Sequence, residues 1–486
     1  MSKIENIMLI GLGYHARRIY FPVLHELQQK KVIGKIFIVD LKNQEKVILD
    51  YLNKRKNCKY ELFLLDRPEN KKLSKATKRD LDNIVNKGKI KGVIISTEPL
   101  AHMVYARWAL KNRLSILMDK PISTHMWIST NVKMGKKLIS DYQELLHLYN
   151  EARKERPEIV FALMAQRRFH PVFNLIKSKI KEVYERTRCP ITSIQAFHGD
   201  GQWRFPTEII DQIYHPYCQG YGIVSHSGYH TIDIVSWFME GCDKNPTEME
   251  IISNFSTPKD LLAQYTFEDY RRDFPDFDKF NKYSEKVFFE KVKNYGEVDC
   301  FANVVFKRNG RVITLANINM SHNGYSQRNW VTAEGRDLYK GNGRIRHESY
   351  YILQGPFQAI LYLSYQSKEV NPTISGDELF RFGGEYHGEV YIFRNDRFEP
   401  SWKCLEYYNM KDFVAYSMKD RSRGHQEEAR RKAILLFIEN LRNGSREIAK
   451  YSDLTQHKRT VKIMSGIYQS IAKRRNGLNP LVKMRI

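Results

Sequence analysis

The chain has 486 residues, a length typical of two or three domains. Hydrophobic residues make up 42% and charged residues 28%, which is ordinary for a globular protein and excludes disorder over most of the chain. The formal net charge of +24 favours an anionic partner. No basic tract interleaved with aromatic residues accompanies that charge, so a solvated, lysine-rich surface is the preferred interpretation and nucleic acid binding is not predicted.

The cysteines and the hydropathy pattern indicate a cytoplasmic protein. Six cysteines are scattered along the chain without a C-x-x-C pair, which suits reduced thiols better than a disulfide framework. The first residues lack the charged-then-apolar layout of a signal peptide. No apolar run approaches the roughly 20 residues that a membrane-spanning helix needs, so no membrane partner is expected.

Short apolar runs alternate with helical patterns in the first part of the chain. The runs lie at 4–13, 34–40, 60–66, 91–97 and 114–121. The helical stretch 14–29 contains Pro22, which predicts a break or kink. Apolar runs of this length, separated by helices, predict a parallel sheet covered on both faces.

Beyond Pro121 the pattern changes to a long amphipathic helix at 136–155, followed mainly by strand-like stretches. These stretches lie at 158–166, 191–198, 298–307, 311–321 and 388–396. Two further helices are predicted over 223–239 and 426–443. The segment 256–295 has weak periodicity and is predicted to be an irregular insertion.

The stretch GLGYHA at 11–16 joins the first strand to the first helix. Gly11 allows a tight turn, Gly13 allows a pyrophosphate to approach the backbone, and Ala16 keeps helix–strand packing close. Asp40 ends the next strand, where a carboxylate accepts hydrogen bonds from the ribose of NAD and repels the extra phosphate of NADP. Lys42 lies nearby and softens that repulsion, so NAD is favoured and NADP remains open. The alternative for Asp40 is an ordinary strand end at the surface.

A second motif, HSGYHTID at 226–233, places two histidines four residues apart and an aspartate three further on. On a helix, His226, His230 and Asp233 would share one face. Such a face can bind a metal, transfer a proton or form hydrogen bonds with polar groups in a core. The motif lacks the glutamate of H-E-x-x-H, so the spacing alone is weak evidence for a metal.

The stretch 94–123 closely resembles a strand–helix–strand unit of the Gfo/Idh/MocA oxidoreductases. That family carries Thr-Pro-x-x-x-His after its fourth strand and Glu-Lys-Pro after its fifth. Thr97 and His102 keep the family spacing, and Pro99 stands one place late. The second element is present as Asp119, Lys120 and Pro121.

Similarity to the same family continues in QRRFHP at 166–171, in 220–238 and in 452–474. It is loose or absent near 240–300 and 340–420, which hold the excess length. The resemblance implies a Rossmann domain over 1–124. It also implies an α/β domain over 125–486 with an open, mostly antiparallel mixed sheet, for substrate binding and oligomerisation. A dimer or tetramer pairing through the sheet face is expected.

The resemblance also implies the reaction: hydride transfer between a nicotinamide and a carbinol or keto carbon of a sugar, sugar derivative or cyclitol. The implied catalytic residues are Lys120 and His230, with His226 as a further candidate, and the substrate-binding residues are Arg168, Tyr229 and Asp233. The implied cofactor-binding residues are Gly11, Gly13, Tyr14, His15, Asp40, Thr97, Pro99, His102, Asp119 and Lys120. The resemblance points to a site without metal.

His226 is the departure from the family pattern, because many relatives carry an aspartate there. A histidine cannot supply a fixed negative charge to raise the pKa of His230. Either His226 performs acid/base work itself, or it binds substrate, or the chemistry differs. Two other functions therefore stay open: glycoside hydrolysis through transient oxidation by bound NAD, and a non-enzymatic dinucleotide-binding regulator.

Overall fold

The computed structural model describes residues 5–68, 72–201, 204–212, 216–241, 245–324, 345–367, 376–413 and 425–486. The chain divides into two compact units. Unit 1 comprises Met1–Thr124, Leu138–His170 and Gln426–Val461, and unit 2 comprises His125–Lys137, Pro171–His425 and Lys462–Ile486. The boundary expected after residue 124 is where unit 1 first ends, and two later segments also belong to unit 1.

Strands and helices are numbered in chain order over the described residues. The strands are β1 Glu5–Ile10, β2 Ile33–Leu41, β3 Tyr60–Leu65, β4 Gly92–Ile95, β5 Ser115–Met118, β6 Phe161–Leu163, β7 Ser193–Gly199, β8 Glu248–Ser256, β9 Asp299–Arg308, β10 Arg311–Ser321, β11 Ile345–Gln354, β12 Gln358–Ser367, β13 Glu389–Arg394, β14 Leu405–Asn409 and β15 Val482–Arg485. The α-helices are α1 Tyr14–Arg18, α2 Tyr20–Gln29, α3 Glu45–Leu52, α4 Lys75–Gly88, α5 His102–Lys111, α6 Val132–Glu155, α7 Gln166–Phe169, α8 Pro171–Thr187, α9 Pro206–Asp211, α10 Tyr229–Phe238, α11 Pro258–Gln264, α12 Phe267–Asp273, α13 Phe277–Phe280, α14 Glu285–Val292, α15 His425–Asn443, α16 Glu447–Tyr451 and α17 Lys458–Arg475.

Unit 1 is built on a six-stranded parallel sheet in the order β3–β2–β1–β4–β5–β6. This is the strand order of a doubly wound Rossmann fold, and it confirms the fold class expected for the N-terminal part. The five early apolar runs form β1 to β5. The run at 158–166 forms β6, which lies beyond the expected boundary and pairs parallel to β5 after the crossover through α6.

The helical pattern over 14–29 breaks where Pro22 predicts a disturbance. Helix α1 ends at Arg18 and α2 begins at Tyr20. Pro22 has no backbone N–H to donate to the carbonyl of Arg18, and its ring crowds that carbonyl. The break therefore falls about one turn before the proline. It leaves Tyr20 and Phe21 fully buried in the core of unit 1.

Helix α15 belongs to unit 1 because its apolar face completes the core there. Ile434, Phe437 and Leu441 lie in the same buried cluster as Ile7 and Leu9 of β1. Asn440 adds polar contacts, since its amide donates to the carbonyl of Glu158 and its oxygen accepts from the hydroxyl of Ser115 on β5. The helix predicted over 426–443 is thus confirmed, and it covers the N-terminal sheet.

Unit 2 contains a nine-stranded sheet in the order β14–β13–β12–β11–β7–β10–β9–β8–β15. Strands β7 and β10 run parallel, and the other neighbouring pairs run antiparallel. This confirms the open, mostly antiparallel mixed sheet. The predicted runs at 191–198, 298–307, 311–321 and 388–396 form β7, β9, β10 and β13.

The segment 256–295 contains four short helices, α11 to α14, rather than irregular chain. Thr257 and Thr266 form capping boxes at the starts of α11 and α12, and Ser284 caps α14. The cluster that these helices form with α9 is mainly aromatic; its rings are Phe205, Tyr217, Phe267, Tyr270, Phe277, Phe288 and Tyr295. Helices of four to eight residues are too short to show a clear period, which is why the sequence pattern fails here. Across the described ranges, we find no helix with the length and apolarity needed to span a bilayer.

Candidate functional site

The glycine turn between β1 and α1 is fixed by close backbone contacts at Gly11. Its φ of +89° lies in the left-handed region, and its N–H donates to the carbonyl of Val39 at 2.8 Å. A Cβ added to Gly11 would come 2.5 Å from the carbonyl oxygen of Ser96. Any side chain at position 11 would therefore push β1 away from the end of β4, so the fold itself requires this glycine.

Gly13 has the opposite surroundings. A Cβ added there would meet nothing within 4 Å, so the turn is open on that side. Tyr14, which starts α1, is exposed, and the guanidinium of Arg17 lies 4.7 Å from the centre of its ring. The open backbone at the start of a helix after β1 is the feature that phosphate groups use in Rossmann folds.

Asp40 lies beside this turn, at the end of β2. Its carboxylate accepts hydrogen bonds from the backbone N–H of Leu12 at 2.6 Å and from that of Leu41 at 2.7 Å. Burial raises the pKa of Asp40, and the two N–H donors act against that rise. Lys42 pairs with Asp66 at 2.8 Å, so its ammonium has a carboxylate partner other than Asp40. The carboxyl group is thus held against the turn itself.

Asp119 follows β5 and forms the centre of a buried polar network. It accepts hydrogen bonds from the hydroxyls of Tyr20 at 2.5 Å and Ser96 at 2.7 Å. His15 Nε2 lies 3.6 Å from the same carboxylate. Burial raises the pKa of Asp119 and, together with the nearby carboxylate, that of Tyr20. The network ties α1 and α2 to the carboxyl ends of β4 and β5, with half-buried Lys120 next in the chain.

His102 is fully buried and holds two loops at this edge of the sheet. Its Nδ1 lies 2.7 Å from the carbonyl oxygen of Pro121, and its Nε2 lies 3.2 Å from that of Thr97. Burial lowers its pKa, which favours the neutral ring. Thr97 and Pro99 are half-buried at the start of the turn that leads into α5. We therefore describe His102 as a residue that positions the loops carrying Thr97 and Lys120.

The residues of unit 1 fit a dinucleotide. Gly13 leaves room at the start of α1, Asp40 ends β2, and Thr97 and Lys120 follow β4 and β5. These are the carboxyl ends of neighbouring parallel strands, where ligands bind in doubly wound folds. All ten residues predicted to bind the cofactor thus lie in unit 1 around one edge of the sheet.

Arg168 also lies in unit 1, on α7, and is fully buried. Its guanidinium donates to Oε1 of Gln456 at 3.2 Å and lies 3.4 Å from Nδ1 of His457. His457 in turn lies 2.9 Å from the hydroxyl of Ser452. Arg167 beside it is buried as well, and the contacts of Arg168 join α7 to the 452–457 segment.

The histidine motif lies in unit 2, and its local structure differs from the prediction. Helix α10 begins at Tyr229, so His226 lies in the turn before it and does not share a helical face with His230 and Asp233. Glycines at 220, 222 and 228 keep the preceding run out of a regular helix. Tyr229, His230 and Asp233 are all buried, as is His226. Among the described residues no group of histidine, cysteine and acidic side chains could hold a metal ion.

Glu297 anchors the glycine-rich run that leads into α10. This fully buried carboxylate accepts hydrogen bonds from the N–H groups of Gly222 and Val224 at 3.0 and 3.1 Å, and from the hydroxyl of Ser129 at 2.5 Å. Burial raises its pKa. A Cβ at Gly222 would come 1.7 Å from the carbonyl oxygen of Glu297, so the glycine permits direct backbone contact.

Two polar residues near the motif could not be found from the sequence pattern. Asp200 follows β7 and His322 follows β10, and both are buried. Because β7 and β10 are parallel, their carboxyl ends meet at the same edge of the sheet. The hydroxyl of Tyr217 lies 2.7 Å from His322 Nδ1, and that of Ser227 lies 3.1 Å from Nε2. The predicted site residues thus form two groups, one in each unit.

Comparison with known proteins supports the interpretation of unit 1 as a dinucleotide-binding Rossmann fold. Residues 5–146 match the family described as an oxidoreductase family with an NAD-binding Rossmann fold. No curated protein sequence is significantly similar to the chain.

Solved structures share the fold over nearly the whole chain. A levoglucosan dehydrogenase in complex with NADH and levoglucosan is 12% identical, with a TM-score of 0.55 and 100% coverage of both chains. An oxidoreductase from Agrobacterium radiobacter in complex with NAD+, L-tartaric acid and magnesium is 13% identical, with a TM-score of 0.53 and coverage of 99% of this chain and 98% of that one. A 3-ketoreductase from Actinomadura kijaniata in complex with NADP and TDP-benzene is 11% identical, with a TM-score of 0.52 and 98% coverage of both chains. At these identities the similarity establishes the fold.

Proposed function

We infer that this chain, whose residues 5–146 match the NAD-binding Rossmann fold of the Gfo/Idh/MocA oxidoreductases, is a member of that family and transfers a hydride between NAD(P) and a sugar-like substrate. The reacting carbon is a carbinol or keto carbon of a sugar, a sugar derivative or a cyclitol. The reaction and the substrate class are the proposal.

One observation carries this proposal: the glycine turn is open at Gly13 and lies next to the network that leads to Lys120. Gly11 contacts Ser96, Ser96 donates to Asp119, and Asp119 precedes Lys120 in the chain. A dinucleotide phosphate at the turn and a reacting group near Lys120 would therefore use one continuous edge of the sheet. Ligands of doubly wound folds bind along this edge.

The bound nicotinamide supplies the hydride donor or acceptor, and the side chains of this chain supply the rest. Lys120, as an ammonium, polarises the substrate oxygen, and Asp119 fixes the backbone beside it through Tyr20 and Ser96. An imidazole exchanges protons near neutral pH. The proposed role of His230 is therefore that of the general acid or base. His226 takes a share of that proton handling or contacts the substrate directly.

Arg168, Tyr229 and Asp233 complete the proposed set. Tyr229 and Asp233 precede and follow His230 on α10 and are buried with it, and their proposed role is substrate binding. The buried guanidinium of Arg168 acts through Gln456 and His457, whose segment it holds in place.

Cofactor binding is tested with Gly13→Asp. The new carboxylate would occupy the open side of the turn and repel a pyrophosphate, so we expect loss of NADH binding, followed by NADH fluorescence, with an unchanged melting temperature. Asn57→Asp adds the same charge at an exposed position of unit 1 and should leave binding intact. Unchanged NADH affinity in Gly13→Asp would rule out the cofactor site.

Turnover of the wild-type chain on a panel of free and nucleotide-linked sugars and cyclitols tests the reaction class. Net change in NADH absorbance supports the dehydrogenase. Glycoside hydrolysis without net change in NADH identifies the hydrolase instead. NADH binding without turnover of any compound in the panel favours the non-enzymatic regulator.

We further propose that two or more copies of the chain associate through the outer face of the unit 2 sheet. Large apolar side chains are exposed along that face, on six of its nine strands; they are Ile252, Phe301, Leu315, Tyr351, Phe393, Leu405 and Tyr407. Ladder pairing places these residues on the same side of the sheet. An exposed apolar face of this extent supports association with a second copy.

A further inference from the structure

The parallel pair β7–β10 brings two residues from distant parts of the chain to the histidine motif. Asp200 follows β7, and His322 follows β10. His322 reaches the motif directly, because its Nε2 lies 3.1 Å from the hydroxyl of Ser227, the residue after His226. The rings of His322 and His226 lie parallel within 14°, with centroids 5.9 Å apart.

His322 is surrounded by groups that suit both its protonation states. Nδ1 faces the hydroxyl of Tyr217 and Nε2 faces that of Ser227. A hydroxyl both donates and accepts, so either hydroxyl can serve a ring nitrogen with or without its proton. Burial raises the pKa of Tyr217, which keeps its hydroxyl protonated. His322 can therefore gain or lose a proton without breaking either contact.

Asp200 supplies the negative charge that favours the protonated ring. Its Oδ2 lies 3.8 Å from His322 Nε2, and the carboxylate is almost fully buried. Buried charges interact more strongly than exposed ones because less water screens them. His198 and Arg346 approach the other oxygen of Asp200 at 3.6 and 3.8 Å, so the carboxylate is shared among three basic side chains.

We propose that Asp200 and His322 form a carboxylate–imidazole pair that positions the HSGYH segment and supplies the fixed negative charge that His226 lacks. This inference rests on the proposed function, because it gives the acid/base site its missing carboxylate. Asp200 and His322 act as positioning residues: His322 holds Ser227 and keeps the ring of His226 in one orientation. The His322 ring faces Tyr217, Asp200 and His226, and its backbone N–H donates to Asp299. His198 and Arg346 face Asp200, the other member of the pair.

The pair is tested by nuclear magnetic resonance titration of the full chain carrying labelled histidine, without substrate. His322→Gln identifies the His322 signals by their loss. Asp200→Asn should weaken proton binding by His322 by at least about tenfold, because it removes the nearby negative charge. Arg346→Gln should strengthen proton binding by His322, because it removes a positive charge that faces Asp200. The Arg346 side chain reaches the surface.

Asp211→Asn is the matched control. Asp211 is a carboxylate of the same unit whose partners are Lys282 and Tyr283 rather than a histidine. A His322 midpoint that shifts equally in Asp200→Asn and Asp211→Asn overturns the pair, as does a midpoint unchanged in both Asp200→Asn and Arg346→Gln. Should Asp200→Asn fail to fold, Arg346→Gln alone decides this point.

The positioning role has its own readout in the signals of His226. We expect these signals to follow the midpoint of His322 in the wild type and to lose that dependence in His322→Gln. Signals of His226 that titrate identically in both chains contradict the role. These measurements need no turnover, so their failure is distinct from the failure of the proposed reaction.

Discussion

Asp119 and Lys120 are neighbours in sequence, both partly buried and opposite in charge. The carboxylate of Asp119 is enclosed by Tyr20, Ser96 and His15, and burial raises its pKa. Lys120 is likewise half-buried at the carboxyl end of β5. The shorter aspartate in place of the family's glutamate still reaches both hydroxyls. The pair thus combines a fixed anchor with a cation presented at the edge where ligands bind.

Lys120→Ala tests this division of work. Loss of a cation that polarises the substrate oxygen should lower turnover by about 100-fold or more, while NADH affinity changes little. Steady-state kinetics on the substrate found in the sugar panel, with NADH fluorescence beside them, separates the two effects. Lys87→Ala removes an exposed lysine of the same unit, on α4 and outside the proposed site, and should leave both unchanged. Normal turnover in Lys120→Ala would remove this residue from the mechanism.

Residue patterns predicted only those candidate site residues whose position depends on local structure. The turn at Gly11 and Gly13 and the strand end at Asp40 lie where the sequence predicts them, because turns and strand ends are local features of sequence. His226 was placed on the wrong local structure, because the glycine run before α10 stays a turn through contacts with Glu297 that no periodicity reveals. Asp200 and His322 meet only through the pairing of β7 with β10, so no local pattern signals them.

At the scale of elements, α15 shows why the domain organisation was only partly predictable. Its apolar face was visible as a helical period, but nothing local indicates which sheet it covers. Charge pairing fixes it on α2, where the guanidinium of Arg431 donates to both oxygens of Glu26 at 2.7 and 2.8 Å. Lys30 adds a third contact at 2.7 Å. Strand β6 likewise joined the first sheet because the crossover through α6 returned the chain beside β5.

Glu26→Gln measures this docking through its pH dependence. The basic partners lower the pKa of Glu26 from its ordinary value of 4.5 to about 2, chiefly through the hydrogen bonds to Arg431. The folded state therefore binds this proton less tightly than the unfolded state. The resulting stability is present above about pH 4.5 and is lost as the pH falls towards 2.

We expect Glu26→Gln to lower the free energy of unfolding by about 1 kcal/mol at pH 7, a value that allows for partial solvent screening. The difference should shrink as the pH falls below 4, as measured by urea unfolding at a series of pH values. Glu151→Gln breaks an exposed pair with Lys154 on α6 and serves as the control. A difference between wild type and Glu26→Gln that does not vary with pH would contradict the ion-pair account.

At the scale of the whole molecule, the class of both sheets was predictable and their full extent was not. The Rossmann order of unit 1 follows from the buried apolar runs and their helical crossovers. In unit 2, β11, β12 and β14 lie in the region where family similarity fades, and β8 and β15 were not predicted. Polar and apolar residues alternate along a strand only where one face of the sheet is buried and the other is solvated. Here apolar residues also occupy the outer face, so the alternation that predicts a strand is weakened.

The apolar outer face leads to a prediction about assembly. Leu315 on β10 and Phe301 on β9 lie near the middle of the nine-stranded sheet, with 54% and 45% of their surfaces exposed. If a second copy covers this face, the double variant Leu315→Lys and Phe301→Lys should be monomeric. Association would bury each new charge in the interface without a partner. Sedimentation velocity should then show a dimer or tetramer for the wild type and a monomer for the variant.

Leu478→Lys provides the matched control, because Leu478 is a leucine of unit 2 with a similar exposure of 56% that lies outside the strands of the sheet. It should sediment as the wild type does. Circular dichroism distinguishes dissociation from unfolding, since the lysines replace side chains that face solvent in the single chain and should leave its strands intact. A wild type that sediments as a monomer at micromolar concentration would contradict association through the outer face. A double variant with the wild-type sedimentation coefficient would place the interface elsewhere.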